Sequence, residues 1–314
     1  MGRYIIKRLL SLIPVLLGIT LVAFFAIRLV PGDVATAILR DQSNPELDAV
    51  IRAGLGLDQP VHIQLVDWIT RVVRLDFGRS FVTGRPVLPD VVARLPATLE
   101  LALAATLVSI LIAVPLGILT AIKRGTVWDY VERFLSVAGL STPSFLLALL
   151  LVLVVALKWR LFPTVGHVPF GEDPAGNLRH MVLPALSLGI GMAAAVARYT
   201  RSCMLDVLDE DYIRTARGKG LTEGLVVLRH ALRNALIPVI TVIGMQMGTL
   251  IGGTVIIESI FAWPGVGRYV LQGIYDRDYP IVQTTVMVIA FFFVLINLLV
   301  DVLYAYLDPK IRFD

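Results

Sequence analysis

Residues 281–300 read I-V-Q-T-T-V-M-V-I-A-F-F-F-V-L-I-N-L-L-V, twenty positions without one charged side chain. The hydrocarbon core of a bilayer takes about 20 mainly apolar residues per helix, so this run predicts a membrane-spanning helix. Further runs of this kind lie at Leu9–Ile27, Leu99–Ile122, Phe134–Leu157, Met181–Ala197 and Ala235–Ile257. The sequence therefore predicts an all-α polytopic membrane protein with six transmembrane helices.

The composition of the whole chain agrees with a surface that faces lipid. Of its 314 residues, 57% are hydrophobic and 17% are charged, whereas soluble domains have roughly 25% charged residues. The single cysteine, Cys203, excludes an internal disulfide, and we expect it to be a small buried residue near a helix end. Cys and His do not cluster with metal-site spacing, so the sequence predicts neither a metal nor a cofactor.

The first apolar run has two interpretations. It follows Arg3, Lys7 and Arg8, as the core of a secretory signal peptide would. However, it is longer than the usual core of roughly 7–15 residues, and the nearby sequence Ala35-Thr36-Ala37 lies far beyond its end. We therefore expect an uncleaved first helix.

Lys and Arg in the short connecting segments predict the orientation, because these residues are enriched on the cytoplasmic side. A cytoplasmic N-terminus places fifteen of the 28 Lys and Arg residues inside and five in the short outer loops. Loops longer than about 60 residues, such as segment 31–97, are largely exempt from this rule. Both termini are thus predicted to be cytoplasmic, with segment 31–97 outside.

Segment 31–97 is too polar to span a membrane, and Pro and Gly interrupt it repeatedly. Within it, Val61–Leu75 is predicted to be an amphipathic helix that carries Trp68. This helix either packs on its own loop or lies on the bilayer surface.

Ionisable groups are nearly absent from the predicted spans, where Arg28, Glu258 and Asp301 lie only at span ends. Ion-coupled transporters need such groups inside the membrane, and an intramembrane protease would need catalytic ones. The phosphate-binding pattern G-x-x-x-x-G-K-[ST] is also absent from the sequence. A secondary transporter, a channel and an enzyme are therefore disfavoured. A non-transport membrane scaffold is a further alternative.

The longest cytoplasmic loop carries the most informative motif, D-Y-I-R-T-A-R-G-K-G-L at residues 211–221. Acids at its start and bases at its end suit a helix dipole, so a short polarised helix is predicted. Gly220 is suited to a left-handed C-cap, and Thr222 to capping the next helix. On charge pattern alone, this loop can equally be a solvated connector.

Residues 211–221 resemble the EAA loop of binding-protein-dependent ABC importer permeases. The whole chain resembles the dipeptide/oligopeptide/nickel branch of that family, and Arg214-Thr215-Ala216 stands where the general motif has Glu-Ala-Ala. The matching blocks are Arg3-Tyr4, Pro31-Gly32-Asp33, Leu55-Gly56-Leu57-Asp58-Gln59-Pro60, Asp76-Phe77-Gly78-Arg79-Ser80, Leu95-Pro96-Ala97-Thr98-Leu99-Glu100, Phe261-Ala262-Trp263-Pro264-Gly265-Val266-Gly267-Arg268, Arg277-Asp278-Tyr279-Pro280 and Asp308-Pro309-Lys310-Ile311-Arg312.

The resemblance implies a type I ABC importer transmembrane domain in a bacterial cytoplasmic (inner) membrane. Such a permease moves peptides, glutathione or nickel across the bilayer by alternating access, and the resemblance does not choose among these substrates. The implied partners are a second related permease, two cytoplasmic ATPases that hydrolyse ATP, and an external solute-binding protein; nucleic acid is not among them. The implied ATPase-docking residues, which form the coupling helix, are Asp211, Tyr212, Arg214, Thr215, Ala216, Arg217, Gly218, Lys219, Gly220 and Leu221.

The expected domain organisation follows from these assignments. The first transmembrane helix occupies residues 1–30 and the outer segment residues 31–97. The type I transmembrane core occupies residues 98–305 and includes the coupling loop 209–223. A cytoplasmic tail at 306–314 completes the chain.

Three further features near the fifth span are candidate functional residues. Gly244, Gly248 and Gly252 recur every four residues and predict a close helix contact, either within the chain or with the partner permease along the pathway. Glu258 is predicted to reach the outer interface or, alternatively, to contact substrate. The segment with Trp263, Pro264, Gly265 and Gly267 is expected in the interfacial aromatic belt, whereas the family resemblance assigns it to the surface facing the binding protein. His167 and His180, thirteen residues apart, do not predict a nickel site.

Overall fold

The computed structural model describes residues 2–29, 35 and 45–307. Regular structure within these ranges is helical, apart from one isolated antiparallel bridge between Arg79 and Pro86. The sequence blocks Pro31-Gly32-Asp33 and Asp308–Arg312, and the tail from residue 308 onward, lie outside the described residues.

Long helices alternate with short ones along the chain. They are α1 (Gly2–Leu29), α2 (Pro45–Leu55), α3 (Val61–Val73), α4 (Val87–Ile122), α5 (Val127–Ser141), α6 (Ser144–Lys158), α7 (Pro174–Leu208), α8 (Asp211–Gly218), α9 (Glu223–Gly253), α10 (Val255–Ile260), α11 (Val266–Tyr275) and α12 (Tyr279–Leu307). Two of them contain π-helical turns, at Val152–Lys158 in α6 and at Val226–Ala231 in α9.

Five described helices are long and apolar enough to cross a membrane, and the pair α5–α6 makes a sixth span if its two parts are counted together. This confirms the all-α polytopic fold. The predicted span Phe134–Leu157 is not one straight helix, because α5 and α6 are bent by 100° where they meet. Pro143 explains the break: it lacks an N–H, and it holds Thr142 in an extended conformation, with ψ at 117°.

Helix α4 begins well before the predicted span, so the domain boundary proposed at 97/98 falls inside a helix. Pro89 lies in its first turn, where a missing N–H is harmless. Val87, Val91 and Leu95 recur every four residues on one buried face, and they pack against Val266, Tyr269 and Ile281. Burial of that face therefore stabilises the helix across a segment in which Pro and Gly are frequent.

The fifth span is shorter than predicted. Helix α9 ends at Gly253, and Thr254 separates it from the six-residue helix α10. The predicted end at Ile257 therefore lies in a separate helix.

The chain divides into two compact units. One contains Leu99–Trp263 and the part of α12 that begins at Phe293. Its interior joins α7 to α9 through Met192, Val196 and Val239. Gly189 allows α7 to approach α4 closely, because a Cβ there would lie only 2.6 Å from Val108 Cγ1.

The other unit contains Gly2–Thr98 and Pro264–Phe292. A cluster of Phe24, Trp68, Phe77 and Met287 joins α1, α3 and α12. The fully buried Asp278 accepts hydrogen bonds from Ser80 Oγ at 2.6 Å and from the Val82 N–H at 3.2 Å. This carboxylate therefore ties the loop before α4 to the start of α12.

Candidate functional site

The motif at residues 211–221 forms a separate short helix between two long ones. Helix α8 has Glu210 at its N-cap position, Asp211 in its first turn and Arg217 in its last. Because the N-terminus of a helix carries partial positive charge and the C-terminus partial negative charge, this order of charges favours the helix.

One face of α8 is anchored in an apolar cluster. Ile213 is fully buried and Ala216 nearly so. They pack with Ala121 at the end of α4, Met204 near the end of α7, and Val226, Val227, Ala231 and Ala235 at the start of α9. The short helix is therefore attached through side chains to the ends of three spans at once.

The opposite face of α8 is exposed. Its exposed residues are Asp211, Tyr212, Arg214, Thr215, Arg217, Gly218, Lys219 and Gly220, whereas Leu221 is half-buried. Arg217 donates to both Glu223 oxygens, at 2.7 and 3.1 Å, and these bonds raise the pKa of its guanidinium. Arg214 lies 3.4 Å from Asp211. Such surface pairs contribute about 0–1 kcal/mol, so the face remains available to another partner.

Gly220 ends the segment in the left-handed region, with φ at +79°, and its N–H donates to the Arg217 carbonyl at 2.9 Å. A Cβ at this position would have no heavy atom within 4 Å. The demand for glycine therefore comes from backbone conformation alone. Thr222 does occupy the next N-cap position, but its side chain makes no capping hydrogen bond, so that part of the prediction is wrong.

An ionic cluster beside this region was missed by sequence reasoning. The Asp129 carboxylate is fully buried and accepts two hydrogen bonds from Arg133, two from Arg201 and one from the Gly125 N–H. It ties α5 to α7 at the same end of α7 as Met204. Arg133 follows Asp129 by four residues, a spacing that signals a pair on one helix face, but no local pattern identifies Arg201.

Glu132, two residues before the predicted span Phe134–Leu157, is a second acid that sequence reasoning missed. It is buried in α5, one part of the bent pair, and its Oε1 accepts a hydrogen bond from Ser136 Oγ at 2.5 Å.

The glycines of the fifth span divide into two groups. Gly244 lies against Val300 of α12, and a Cβ at Gly248 would be 3.2 Å from Asn297 Oδ1 and 3.4 Å from the Phe293 ring. Gly252, by contrast, is exposed. The face that packs within the chain therefore does not extend to Gly252, where the prediction of an internal contact is wrong.

The side chain of Glu258 does not extend to the surface of the chain. Its side chain is fully buried, and Thr254 Oγ1 donates to it at 2.9 Å. The expectation of a span-end residue extending to water is therefore wrong. An acid in the first turn of a helix interacts favourably with the helix dipole, which fits its place in α10.

The segment after α10 is mostly buried as well. Trp263 is fully buried, and its ring lies edge-on to His167 with the centroids 4.5 Å apart. It is thus not a member of an interfacial belt. Gly265 and Gly267 are buried, and only Pro264 of the four predicted outer-surface residues is exposed.

The two histidines of the outer loop have separate neighbours. His180 Nδ1 pairs with the Gly176 carbonyl at 2.8 Å, and His167 Nε2 lies 3.6 Å from Glu100. Among the described residues no group of three or more His, Cys, Asp or Glu side chains could hold a metal ion.

Three spans converge on a short, exposed, charged helix, and comparison with known proteins gives the family. Residues 113–313 match the model of the binding-protein-dependent transport system inner membrane component, and residues 1–102 match that of its N-terminal region. The chain therefore belongs to this family.

Relatives match over the full length of the chain. The glutathione transport system permease protein GsiC of Salmonella choleraesuis (strain SC-B67) is 43% identical over 313 residues, covering 100% of both chains. A putative peptide transport system permease protein of Brucella abortus (strain 2308) is 44% identical over 314 residues, again covering 100% of both.

Solved structures show the same fold. The MetNI methionine ABC transporter aligns with a TM-score of 0.59 at 18% identity, over 71% of this chain and 98% of that chain. An amino acid ABC transporter aligns with a TM-score of 0.51 at 16% identity, over 71% and 94%.

Family membership establishes the general function. The chain is a multi-pass membrane permease subunit of a bacterial ABC importer rather than an enzyme. Proteins of this family work with ATPase subunits and a substrate-binding protein.

Proposed function

We propose that α8 is the coupling helix, through which this permease receives the conformational change of a cytoplasmic ATPase. The observation that carries the proposal is the attachment of Ile213 and Ala216 to the ends of α4, α7 and α9. A displacement of α8 by the ATPase would therefore move the ends of three spans together, because packed apolar side chains transmit displacement with little compression.

The exposed face has the chemistry of a docking surface. It presents three bases, Arg214, Arg217 and Lys219, and one acid, Asp211. Tyr212, also exposed, is held in place by a 2.7 Å hydrogen bond from Asn234 in α9. A rigid aromatic side chain near Arg residues is the composition that interface centres favour.

The membrane topology follows from placing α8 in the cytoplasm. Both termini then lie on the cytoplasmic side of the inner membrane, as the distribution of Lys and Arg indicates. Segment 45–86 lies on the opposite side, where a solute-binding protein delivers its cargo.

A second permease completes the pathway in this proposal. The exposed Gly252 supports it, since Gly252 lies one turn beyond Gly248 on a face that elsewhere packs closely. A small residue at an exposed position allows the backbone of a partner helix to approach. ATP-driven alternating access of the two permeases then carries the solute inward.

The cargo we propose is a peptide or a peptide-like small solute such as glutathione. The names of the two full-length relatives support this class. Within the class, the binding protein selects the individual solute.

The test is uptake by the complete transporter in proteoliposomes. Uptake of the cargo presented by the binding protein should require ATP on the α8 side and should persist when a protonophore removes the proton gradient. Loss of uptake on adding the protonophore, with ATP held constant, would contradict the proposal and favour an ion-coupled transporter.

A further inference from the structure

A cavity of about 530 Å³ lies within the unit formed by Gly2–Thr98 and Pro264–Phe292. Its lining comes from the end of α1, from α2 and the loop that follows it, from α3, from the loop before α4, and from the start of α12. Its volume falls in the range of roughly 300–1,000 Å³ that small-molecule sites occupy. It is separate from α8 in sequence and belongs to the other compact unit.

The lining is rich in positive charge. Among the described residues it includes Arg28, Arg71 and Arg79 and a single acid, Asp67. Asp67 is already paired with Arg71 at 2.8 Å. The cavity therefore suits an anion, and its described lining lacks a free acid that would accept the ammonium group of a peptide.

Arg28 is held in the lining by its neighbours. It donates to the Phe24 carbonyl at 2.9 Å and to Gln64 Oε1 at 2.7 Å. Its guanidinium carbon lies 3.5 Å from the centroid of the Phe24 ring and 4.9 Å from that of Tyr279. A guanidinium has five N–H donors, so these bonds leave donors for an incoming acceptor.

Two further donors of the lining are buried without a partner. The indole N–H of Trp68 and the side-chain N–H₂ of Gln283 make no hydrogen bond, although both side chains are more than nine-tenths buried. A buried donor left unsatisfied costs about 1–3 kcal/mol. Both side chains line the cavity, and since neither donor atom is open to it, a small side-chain rotation is needed to pair with an acceptor on a bound molecule.

The position of the cavity relates it to the bilayer. Arg28 lies at the end of the span Leu10–Leu29, the depth at which phospholipid phosphates are found. Helix α1 presents exposed apolar side chains at the same end, namely Val22, Phe25 and Leu29. Such a row is stable where it contacts apolar material, as acyl chains provide.

From these observations we propose that this cavity binds the phosphate group of a membrane phospholipid, with Arg28 and Trp68 as donors and the acyl chains along α1. The site lies in the unit that does not contain α8. It anchors α3 to the end of the first span through a lipid.

The test uses the full-length chain in detergent, examined by native mass spectrometry with added 1-palmitoyl-2-oleoyl-phosphatidylglycerol. Dioleoylglycerol, which has acyl chains but no phosphate, is the comparison lipid. Arg28→Gln removes the charge, Arg28→Lys keeps it, and Trp68→Phe removes only the indole donor. Arg85→Gln is the matched control, because Arg85 is exposed in the same unit and does not line the cavity.

We expect the chain to retain phosphatidylglycerol at least about tenfold more strongly than dioleoylglycerol, a preference equivalent to one good charge-assisted interaction. Arg28→Gln and Trp68→Phe should each weaken this preference, whereas Arg28→Lys should retain part of it and Arg85→Gln all of it. Equal retention of the two lipids, or unchanged retention in both Arg28→Gln and Trp68→Phe, would overturn the proposal.

Two competitors separate a lipid from other sources of negative charge. Equimolar glycerol 3-phosphate should leave the bound phosphatidylglycerol in place, since it lacks the acyl chains. Displacement by glycerol 3-phosphate would assign the cavity to a soluble phosphate compound, and displacement by an equimolar tripeptide would assign it to cargo. Either result would overturn the lipid assignment.

Discussion

The proposed role of α8 is tested most sharply at Gly220. Gly220 and Gly218 are two residues apart, but only Gly220 has a backbone conformation that favours glycine. Gly220 has a φ of +79°, whereas Gly218 is the last residue of the helix and does not have a positive φ. Neither would bring a Cβ within 4 Å of another heavy atom. Substitution at Gly220 therefore perturbs only the backbone conformation, and Gly218 is its matched control.

The magnitude follows from the left-handed conformation. An L-residue with a Cβ loses roughly 1–2 kcal/mol there, and Asn loses less. A change of about 1.4 kcal/mol is tenfold in an equilibrium constant. Gly218→Ala, by contrast, should stabilise a helical position by about 0.5–1 kcal/mol. The expected order of damage is thus Gly220→Val, Gly220→Ala, Gly220→Asn, with Gly218→Ala least harmful.

The assay is ATP-dependent uptake by the reconstituted transporter, with membrane insertion and ATPase co-purification measured in parallel. Gly220→Val should lower uptake at least about tenfold while the chain still inserts, and the ATPases should detach or hydrolyse ATP without transport. If Gly220→Val transports normally with its ATPases bound, or if Gly218→Ala is equally damaging, the docking site lies elsewhere. The segment Lys123–Glu132 would then be the next candidate.

Four other substitutions test the surrounding structure. Asp129→Asn should destabilise the chain by about 2 kcal/mol, because it weakens charge-assisted bonds worth roughly 1.5–3 kcal/mol; an unchanged melting temperature in detergent would contradict this role. Ile213→Ala should cost about 2–5 kcal/mol of local packing and expose α8 to limited proteolysis; wild-type protection would show that the anchor is unimportant. Gly248→Leu should overpack the contact with α12, at a cost of about 1–3 kcal/mol, and lower folded yield. Gly252→Leu should leave the isolated chain intact but reduce its association with the partner permease, and normal association would show that Gly252 is not at that interface.

Much of the helical architecture could be predicted because apolar runs report span length directly. The runs at 9–27 and 281–300 correspond to spans at Leu10–Leu29 and Tyr279–Val302. Prediction was less accurate where tertiary packing competes with local signals. Pro89 and Pro96 are typical of interrupted structure, yet both lie within α4. The helix forms there because its buried face packs against other elements.

The candidate site likewise combines local features that the sequence predicts with tertiary contacts that it does not. The polarity of α8 and the positive φ of Gly220 follow from residues adjacent in sequence. The partners of buried polar groups do not, since they depend on which elements meet in space. Asp129 lies 72 residues from Arg201, and Trp263 is buried against His167 from a distant loop. Local patterns describe neither contact, which is why Trp263 was expected at an interface.

The central claim, that α8 docks the ATPase, is tested most directly by cross-linking. Cys203 is the only cysteine in the chain, so Cys203→Ser gives a background in which Thr215→Cys places a single thiol on the exposed face of α8. A short bifunctional reagent should join this thiol to the ATPase subunit, while Thr83→Cys, exposed in the loop before α4, should not form that product. Absence of an ATPase cross-link at Thr215→Cys in a transport-competent complex, or an ATPase cross-link at Thr83→Cys, would contradict the account.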